Sequence, residues 1–290
     1  MAQGTLRFAG IGTALGLGLT LLSAGPTAQA PAPLFEGTSP VEAGAIDAGG
    51  PTVVRARASR VRFDRLTAAS AAGATGDRPS LVTLNLFDDA VLETQFERLE
   101  SDTFGHQTWV GHVADDPLST VTLTWKGTVL SGGVSTGDAL YRLSAIDGVA
   151  TIEQLDPGSF PLELPPLLPP PGERIQAPAG DVAHPAAGEV VDIYVYYTTA
   201  AMTASGGQAA IEALIAQGIA DSNTAFVRSG VAATKRLVGT GELVGFVQDP
   251  SNMSNDLSAF TSPASSRSTG ARRQAVPSPA TRCAPGRAAD

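Results

Sequence analysis

A proline-rich stretch divides the 290-residue chain into two parts of different character. Eight of the 28 residues from Pro161 to Gly188 are proline, which cannot donate a backbone hydrogen bond to a sheet and keeps the chain extended. We therefore predict a solvent-exposed linker that proteases can reach, with a domain boundary after Leu164 and the linker proper over residues 165–188. The sequences before and after it are read as separate units.

Before the linker, short runs of alternating apolar and polar residues predict an antiparallel β domain over residues 60–164. In STVTLTW, Val121, Leu123 and Trp125 fall on one face and the intervening threonines on the other. Asp-Asp-Pro, Gly-Gly and Asp-Gly signals predict turns between the runs. One short helix is expected around Leu92–Leu99.

Residues 1–30 have the layout of a secretory signal peptide. A single positive residue, Arg7, precedes an apolar run from Phe8 to Leu22, and small residues follow. This run is shorter than the roughly 20 residues of a membrane span, although an N-terminal anchor helix remains the alternative. We expect an exported chain, secreted or periplasmic, with no stable membrane span after signal removal. Residues 31–59 are rich in Ala, Gly and Pro without a sustained period and are interpreted as a low-complexity spacer.

The charge of the chain changes sign near its end. The formal net charge is −9, which argues against a nucleic-acid partner because phosphate binding requires clustered Lys and Arg. Residues 262–290 carry five Arg and one acidic residue, a local charge of +4, so the preceding residues sum to −13.

After the linker, the near-continuous apolar run VVDIYVYYT predicts a strand covered on both faces. A long helix follows, with Ser205 as its candidate cap and Gly230 just beyond its end. Its predicted buried face consists of residues at helical spacing: Ile211, Leu214, Ile215, Ile219, Ser222 and Phe226. TKRLVGTGELVGFV then predicts one or two further strands. This order begins an α/β layer, but two strands and one helix cannot bury both faces of its sheet.

The residues that could act in catalysis or metal binding do not form a recognisable site in the sequence. His106 and His112 are roughly 20 Å apart along a strand and about 120° apart around a helix, so surface or turn positions are predicted for both. His184 stands alone in the linker, and Cys283 has no cysteine with which to form an internal disulfide. Ser135 is the serine of a GxSxG match, but a second strand is predicted after it where a nucleophile elbow requires a helix. HExxH does not occur.

Three features carry a family resemblance: the VVDIYVYYT strand, the helical segment ADSNTAF, and SGV leading into RLVGTGEL. From Val190 to Leu257 the chain resembles the start of the catalytic domain of secreted bacterial reprolysin-like zinc metallopeptidases of the metzincin group, and among them the peptidyl-Asp metalloendopeptidases. The region containing LNLFDD and TWVGHV more loosely resembles their propeptide. The resemblance implies a multi-segment α+β chain, with an antiparallel β pro-domain followed, over 189–261, by the N-terminal part of an incomplete metzincin-type α/β catalytic domain.

The same resemblance implies Zn²⁺ held by the histidines of HExxHxxGxxH, a glutamate as general base, and protein or peptide substrates. No position matches these residues, so we assign no catalytic, cofactor-binding or metal-binding residue and no identifiable zinc motif. We expect a truncated precursor that is inactive as it stands. The tail, residues 262–290, is read either as a disordered basic end or as G- and C-rich DNA translated out of frame.

Two alternatives from other classes remain open at the level of sequence. One is a non-enzymatic secreted β domain that binds or inhibits a partner. The other is a serine hydrolase that uses Ser135.

Overall fold

The computed structural model describes residues 33–39, 52–75, 81–160, 188–249 and 253–261. The predicted signal peptide, the linker up to residue 187 with its His184, and the tail with its Cys283 lie outside the described residues. In the part of the chain that is described, no helix is long and apolar enough to cross a membrane.

Nine strands form one antiparallel sheet, in the order β1-β2-β9-β8-β7-β6-β5-β4-β3. The predicted Asp-Gly turn is confirmed between β8 and β9, where Asp147 and Gly148 have φ values of 51° and 78°. Such a pair of positive φ angles suits the two-residue turn of a hairpin. The strands are β1 (Phe35–Ser39), β2 (Val53–Val61), β3 (Leu81–Phe87), β4 (Ala90–Ser101), β5 (Gln107–Val113), β6 (Asp116–Lys126), β7 (Val129–Ser135), β8 (Leu140–Ile146) and β9 (Val149–Leu155).

The sheet curls until its two outer strands meet, so that it forms a nearly closed barrel. Leu34 N donates to Thr83 O at 2.8 Å. The Asn85 side chain accepts from Phe35 N at 3.0 Å and donates to Phe35 O at 2.9 Å. Helix α1 (Phe63–Thr75) packs on β3 and β4. Closure pairs backbone groups that an open edge would leave exposed.

The interior of the barrel is a continuous apolar core. Alternate side chains of each strand point inward, which explains why the alternating sequence runs predicted these strands. The largest fully buried side chains include Phe35, Leu66, Leu84, Trp109, Leu123 and Ile152.

The chain after the linker forms a small parallel unit. Strands β10 (Glu189–Thr198) and β11 (Ala233–Leu243) pair in parallel. Between them come α2 (Thr199–Ala204) and the crossover helix α3 (Gln208–Arg228), and α4 (Met253–Thr261) follows β11. Helix α3 packs on β11 with one side and on β5, β6, β7 and β8 of the barrel with the other.

The predicted fold class is wrong. The described chain is mostly β and is dominated by the nine-stranded antiparallel barrel, and it does not form an α+β arrangement with a metzincin-type α/β catalytic fold. The strand, helix and strand predicted after the linker are present, but β10 and β11 form a sheet of only two strands. The periodicity indicated an apolar side of α3, but it did not show that the barrel would cover the opposite side.

Three local features also differ from expectation. Leu92–Leu99 lies within strand β4 and is not helical. It pairs with β3 in a hairpin, and alternate side chains of β4 are more buried than their neighbours. Strand β1 and most of β2 lie within 31–59, where a spacer was expected, and α1 was not predicted. Gly132 and Gly133 lie inside β7 and do not form a turn.

Candidate functional site

The outer face of β6 is buried, because helix α3 lies across this side of the barrel. The predicted alternation is confirmed: Val121, Leu123 and Trp125 belong to the interior core, and the threonines point the other way. Thr122 and Thr124 are nevertheless 1% and 0% exposed. A face that reads as polar and solvated is therefore a contact surface, and this contact between barrel and helix is the candidate functional site.

Two glycines of β7 let α3 approach the sheet closely. A Cβ atom on Gly133 would lie 3.1 Å from Gln217 Nε2. On the opposite side of the strand, a Cβ on Gly132 would lie 2.9 Å from Leu123 Cδ2 and 3.0 Å from Thr122 O. Glycine therefore leaves room for the helix at one position and for the core at the next.

The side of α3 that faces the barrel is small and polar. Its buried residues differ from the predicted stripe, since only Ile211 belongs to both sets and Leu214 is 45% exposed. Apart from Ile211, which lies on the opposite side, they fall along one side of the helix at about 100° per residue. The buried residues of α3 are Ile211, Ala213, Ala216, Gln217, Ala220 and Thr224.

A buried hydrogen bond joins the middle of the helix to β7. Ser131 Oγ donates to Gln217 Oε1 at 2.6 Å, and both residues are buried. Gln217 Nε2 in turn donates to Asp221 Oδ2 at 3.3 Å, one turn further along the helix. A buried amide without such partners would be costly, so this pairing fixes how the helix sits on the strand.

Two arginines complete the contact at the C-terminal end of α3. Arg98 of β4 donates to Thr224 Oγ1 at 2.6 Å, and that hydroxyl donates to Ala220 O at 2.8 Å. Arg228 donates to Leu118 O at 3.0 Å from Nη1 and to Ser119 O at 2.7 Å from Nη2. A cation in the last turn also suits the negative end of the helix dipole.

Asp221 is the one acidic side chain on the barrel-facing side of α3. It is half-buried, and burial raises the pKa of its carboxyl above the usual range. The nearby Thr122 hydroxyl and the Gln217 amide act on this pKa in the opposite direction, and burial dominates. No hydrogen bond of ordinary geometry joins Thr122 Oγ1 to the carboxylate. A cleft of about 470 Å³ borders Asp221 and is also lined by Arg142 and Arg228.

The two described histidines are each held by a carboxylate. His106 lies in the turn before β5, as predicted, but it is buried, with Nδ1 2.7 Å from Asp102 Oδ2. His112 lies in β5, with Nδ1 2.7 Å from Glu97 Oε1. Across the five described ranges, no group of three or more His, Cys, Asp and Glu side chains is placed to hold a metal ion. The described residues therefore do not fit a zinc site.

Ser135 is not placed as a nucleophile. It is exposed at the end of β7, and a turn containing Thr136 leads directly into the antiparallel strand β8. A nucleophile elbow requires a helix at that point. The GxSxG match therefore lies in a hairpin.

The residues that build the contact were not singled out from the sequence. Gln217, Asp221, Thr224 and Arg228 follow one another at intervals of three or four residues, which is a helical signal. These four residues are polar, so their spacing does not contribute to an apolar stripe, and hydrophobic periodicity selects the neighbouring isoleucines instead.

Comparison with known proteins gives one distant relation. No protein-family model matches the chain. The peptidyl-Asp metalloendopeptidases of Stenotrophomonas maltophilia strains K279a and R551-3 are 27% and 28% identical to it over 153 residues. A solved chain titled "Structure of a chaperone-substrate complex" covers 39% of this chain with 90% of its own length, at 14% identity and a TM-score of 0.31, too low to support an argument.

The match to the two curated relatives covers 50% of this chain but only 35% of each relative. The chain therefore spans about a third of the length of the relatives it matches, and over half of its own length it is distantly related to metalloendopeptidases.

Proposed function

We propose that the chain is part of the precursor of a secreted, zinc-dependent metalloendopeptidase of the reprolysin-like kind. In this proposal the barrel, residues 33–160, is a pro-domain, and residues 189–261 begin the peptidase segment. The observation that carries the proposal is the docking of α3 on the barrel through buried hydrogen bonds. The distant similarity to metalloendopeptidases and the motifs of β10, α3 and β11 support it.

The docking supports a pro-domain because it joins two segments that a linker separates in sequence. Helix α3 follows the linker, whereas the groups that bond to Gln217, Thr224 and Arg228 all belong to strands that precede it. The barrel thus covers a helix face that β10 and β11 leave open. A pro-domain that covers this face assists folding of the segment by hiding surface that would otherwise aggregate.

The chemistry proposed for the intact enzyme is hydrolysis of peptide bonds in proteins or peptides by water that zinc activates. The names of the relatives suggest cleavage next to aspartate. We further propose export through the N-terminal segment, residues 1–30. These 290 residues by themselves are proposed to be inactive, because HExxH does not occur in their sequence.

The purified chain is expected to show no hydrolysis of aspartate-containing peptides above a protein-free blank, with or without added Zn²⁺. The measurement is mass spectrometry of a peptide mixture after prolonged incubation. Hydrolysis that a chelator abolishes, and that persists after repurification, would overturn the proposed inactivity. A parallel reaction with His112→Gln would then show whether His112 takes part.

The docking itself is tested by cutting the linker. After limited proteolysis between residues 161 and 187, the fragments containing 33–160 and 188–261 are expected to co-elute in size-exclusion chromatography. Separate elution of two folded fragments would contradict the proposed pro-domain.

A further inference from the structure

Asp221 places an ionisable group inside the contact between helix and barrel. Its carboxylate accepts from Gln217, which is itself bonded to Ser131 of β7. The side chain is half-buried near the Thr122 hydroxyl, which is 1% exposed and makes no hydrogen bond of ordinary geometry. The charge state of this carboxyl therefore affects the stability of the contact between α3 and the barrel.

The cations near this position are engaged elsewhere. Arg142 of β8 pairs with Glu153 of β9 at 2.6 Å. On the β11 side, Lys235 Nζ lies 4.9 Å from the centre of the Phe226 ring. Within the described residues, no ion pair of 4 Å or less involves Asp221. The other charged or titratable groups around this contact are Glu97, Arg98 and Glu100 of β4, His112 of β5, Tyr141 of β8, and Glu212 and Arg228 of α3.

We propose that Asp221 is a pH-sensitive latch between α3 and the barrel, which holds the helix when its carboxyl is neutral and loosens it when the carboxyl ionises. A neutral carboxyl can donate to the Thr122 hydroxyl while it accepts from Gln217, whereas a carboxylate can only accept. The ionised group must also remain half-buried without a cationic partner, which favours its exposure to water. The role of this latch in a precursor rests on the proposed function, because releasing α3 separates the pro-domain from the peptidase segment.

The direction of the pH dependence follows from the raised pKa. An aspartate in water has a pKa of about 3.9, and burial in the docked state raises the pKa of Asp221. The docked state therefore binds more protons than the released state. The stabilisation is fully present below about pH 3.9 and is lost as the pH rises through the docked-state value.

Hydrogen–deuterium exchange of peptides from α3, in the full chain, tests the latch. Wild type, Asp221→Asn and the control Glu212→Gln are compared at each pH from 4 to 8, so that the intrinsic pH dependence of exchange cancels. We expect the wild-type and Asp221→Asn rates to be equal near pH 4. Above that pH, wild type exchanges faster, by up to about tenfold for each unit by which burial raises the pKa. Glu212→Gln should follow wild type, since Glu212 is at the surface and bonded to Gln208.

A second variant, Thr122→Val, tests the latch independently in case Asp221→Asn disturbs the local fold. Thr122→Val removes the hydroxyl to which the neutral carboxyl would donate, so its α3 peptides should exchange faster than those of wild type near pH 4, where that carboxyl is neutral. A constant wild-type to Asp221→Asn ratio across the series, with α3 protected in both, would overturn the latch alone. An unprotected α3 at every pH in all variants would overturn the docking, and with it both this inference and the proposed pro-domain.

Discussion

Replacing Trp109 with alanine is expected to lower the free energy of unfolding by about 3–5 kcal/mol and to remove the protection of α3 at the same time. Trp109 is fully buried inside the barrel, and its ring centre lies 6.1 Å from that of Phe96. It belongs to the interior core, whereas α3 packs on the outside of the sheet. Because the two do not share a face of the sheet, a loss of α3 protection in this variant would have to result from destabilisation of the whole barrel.

Urea unfolding followed by tryptophan fluorescence and exchange of the α3 peptides measure the two effects in one protein. Val54→Ala is the matched control, because it removes an apolar side chain from a barrel strand at a position that is 60% exposed. It should change neither quantity by more than about 0.5 kcal/mol. If Trp109→Ala destabilised the barrel and left α3 protected, the helix would not depend on the barrel and the proposed pro-domain would fail.

The barrel strands were predictable because each has one face toward a single apolar core. In β6, Val121, Leu123 and Trp125 alternate with threonines, and this period of two follows from the geometry of a strand. The Asp147-Gly148 turn was predictable for an equally local reason, since both residues tolerate positive φ. Local rules thus gave much of the order of strands between β5 and β9.

The arrangement of the segments was not predictable, because it depends on partners far away in sequence. The Gly-Gly pair of β7 has the composition of a turn, but its lack of side chains serves the approach of Gln217, 84 residues after Gly133. Strand β4 has the length and composition of a helix around Leu92–Leu99, and pairing with β3 and β5 overrides this tendency.

The candidate site was missed for a related reason. A helix that packs on a small-residue surface needs alanines and short polar side chains, and Ala213, Gln217 and Thr224 give little hydrophobic signal. Ile215 and Ile219 dominate the pattern but are only half-buried, on the side of the helix that lies toward the two-stranded sheet. Hydrophobic periodicity therefore identified the helix and the side of it that lies toward β11, but it missed the side that meets the barrel.

The buried hydrogen bond between Ser131 and Gln217 is expected to contribute measurably to the docking of α3 on the barrel. Gln217→Ala should weaken docking of α3 by about 1–3 kcal/mol, because it leaves the Ser131 hydroxyl buried without this partner. The measurement is the exchange rate of α3 peptides, with barrel stability followed separately by tryptophan fluorescence. The barrel transition should stay within about 0.5 kcal/mol of wild type.

A double-mutant cycle with Ser131→Ala distinguishes this bond from simple loss of packing. If the bond carries the effect, the double variant should be less destabilised than the sum of the single variants, with a coupling of about 0.5–3 kcal/mol. Leu214→Ala, one turn earlier on the same helix and 45% exposed, is the control for helix propensity and should have little effect. Strict additivity would mean that Ser131 and Gln217 do not act as a pair. The docking of α3 would then depend on close packing against Gly133 and on the two arginines, Arg98 and Arg228.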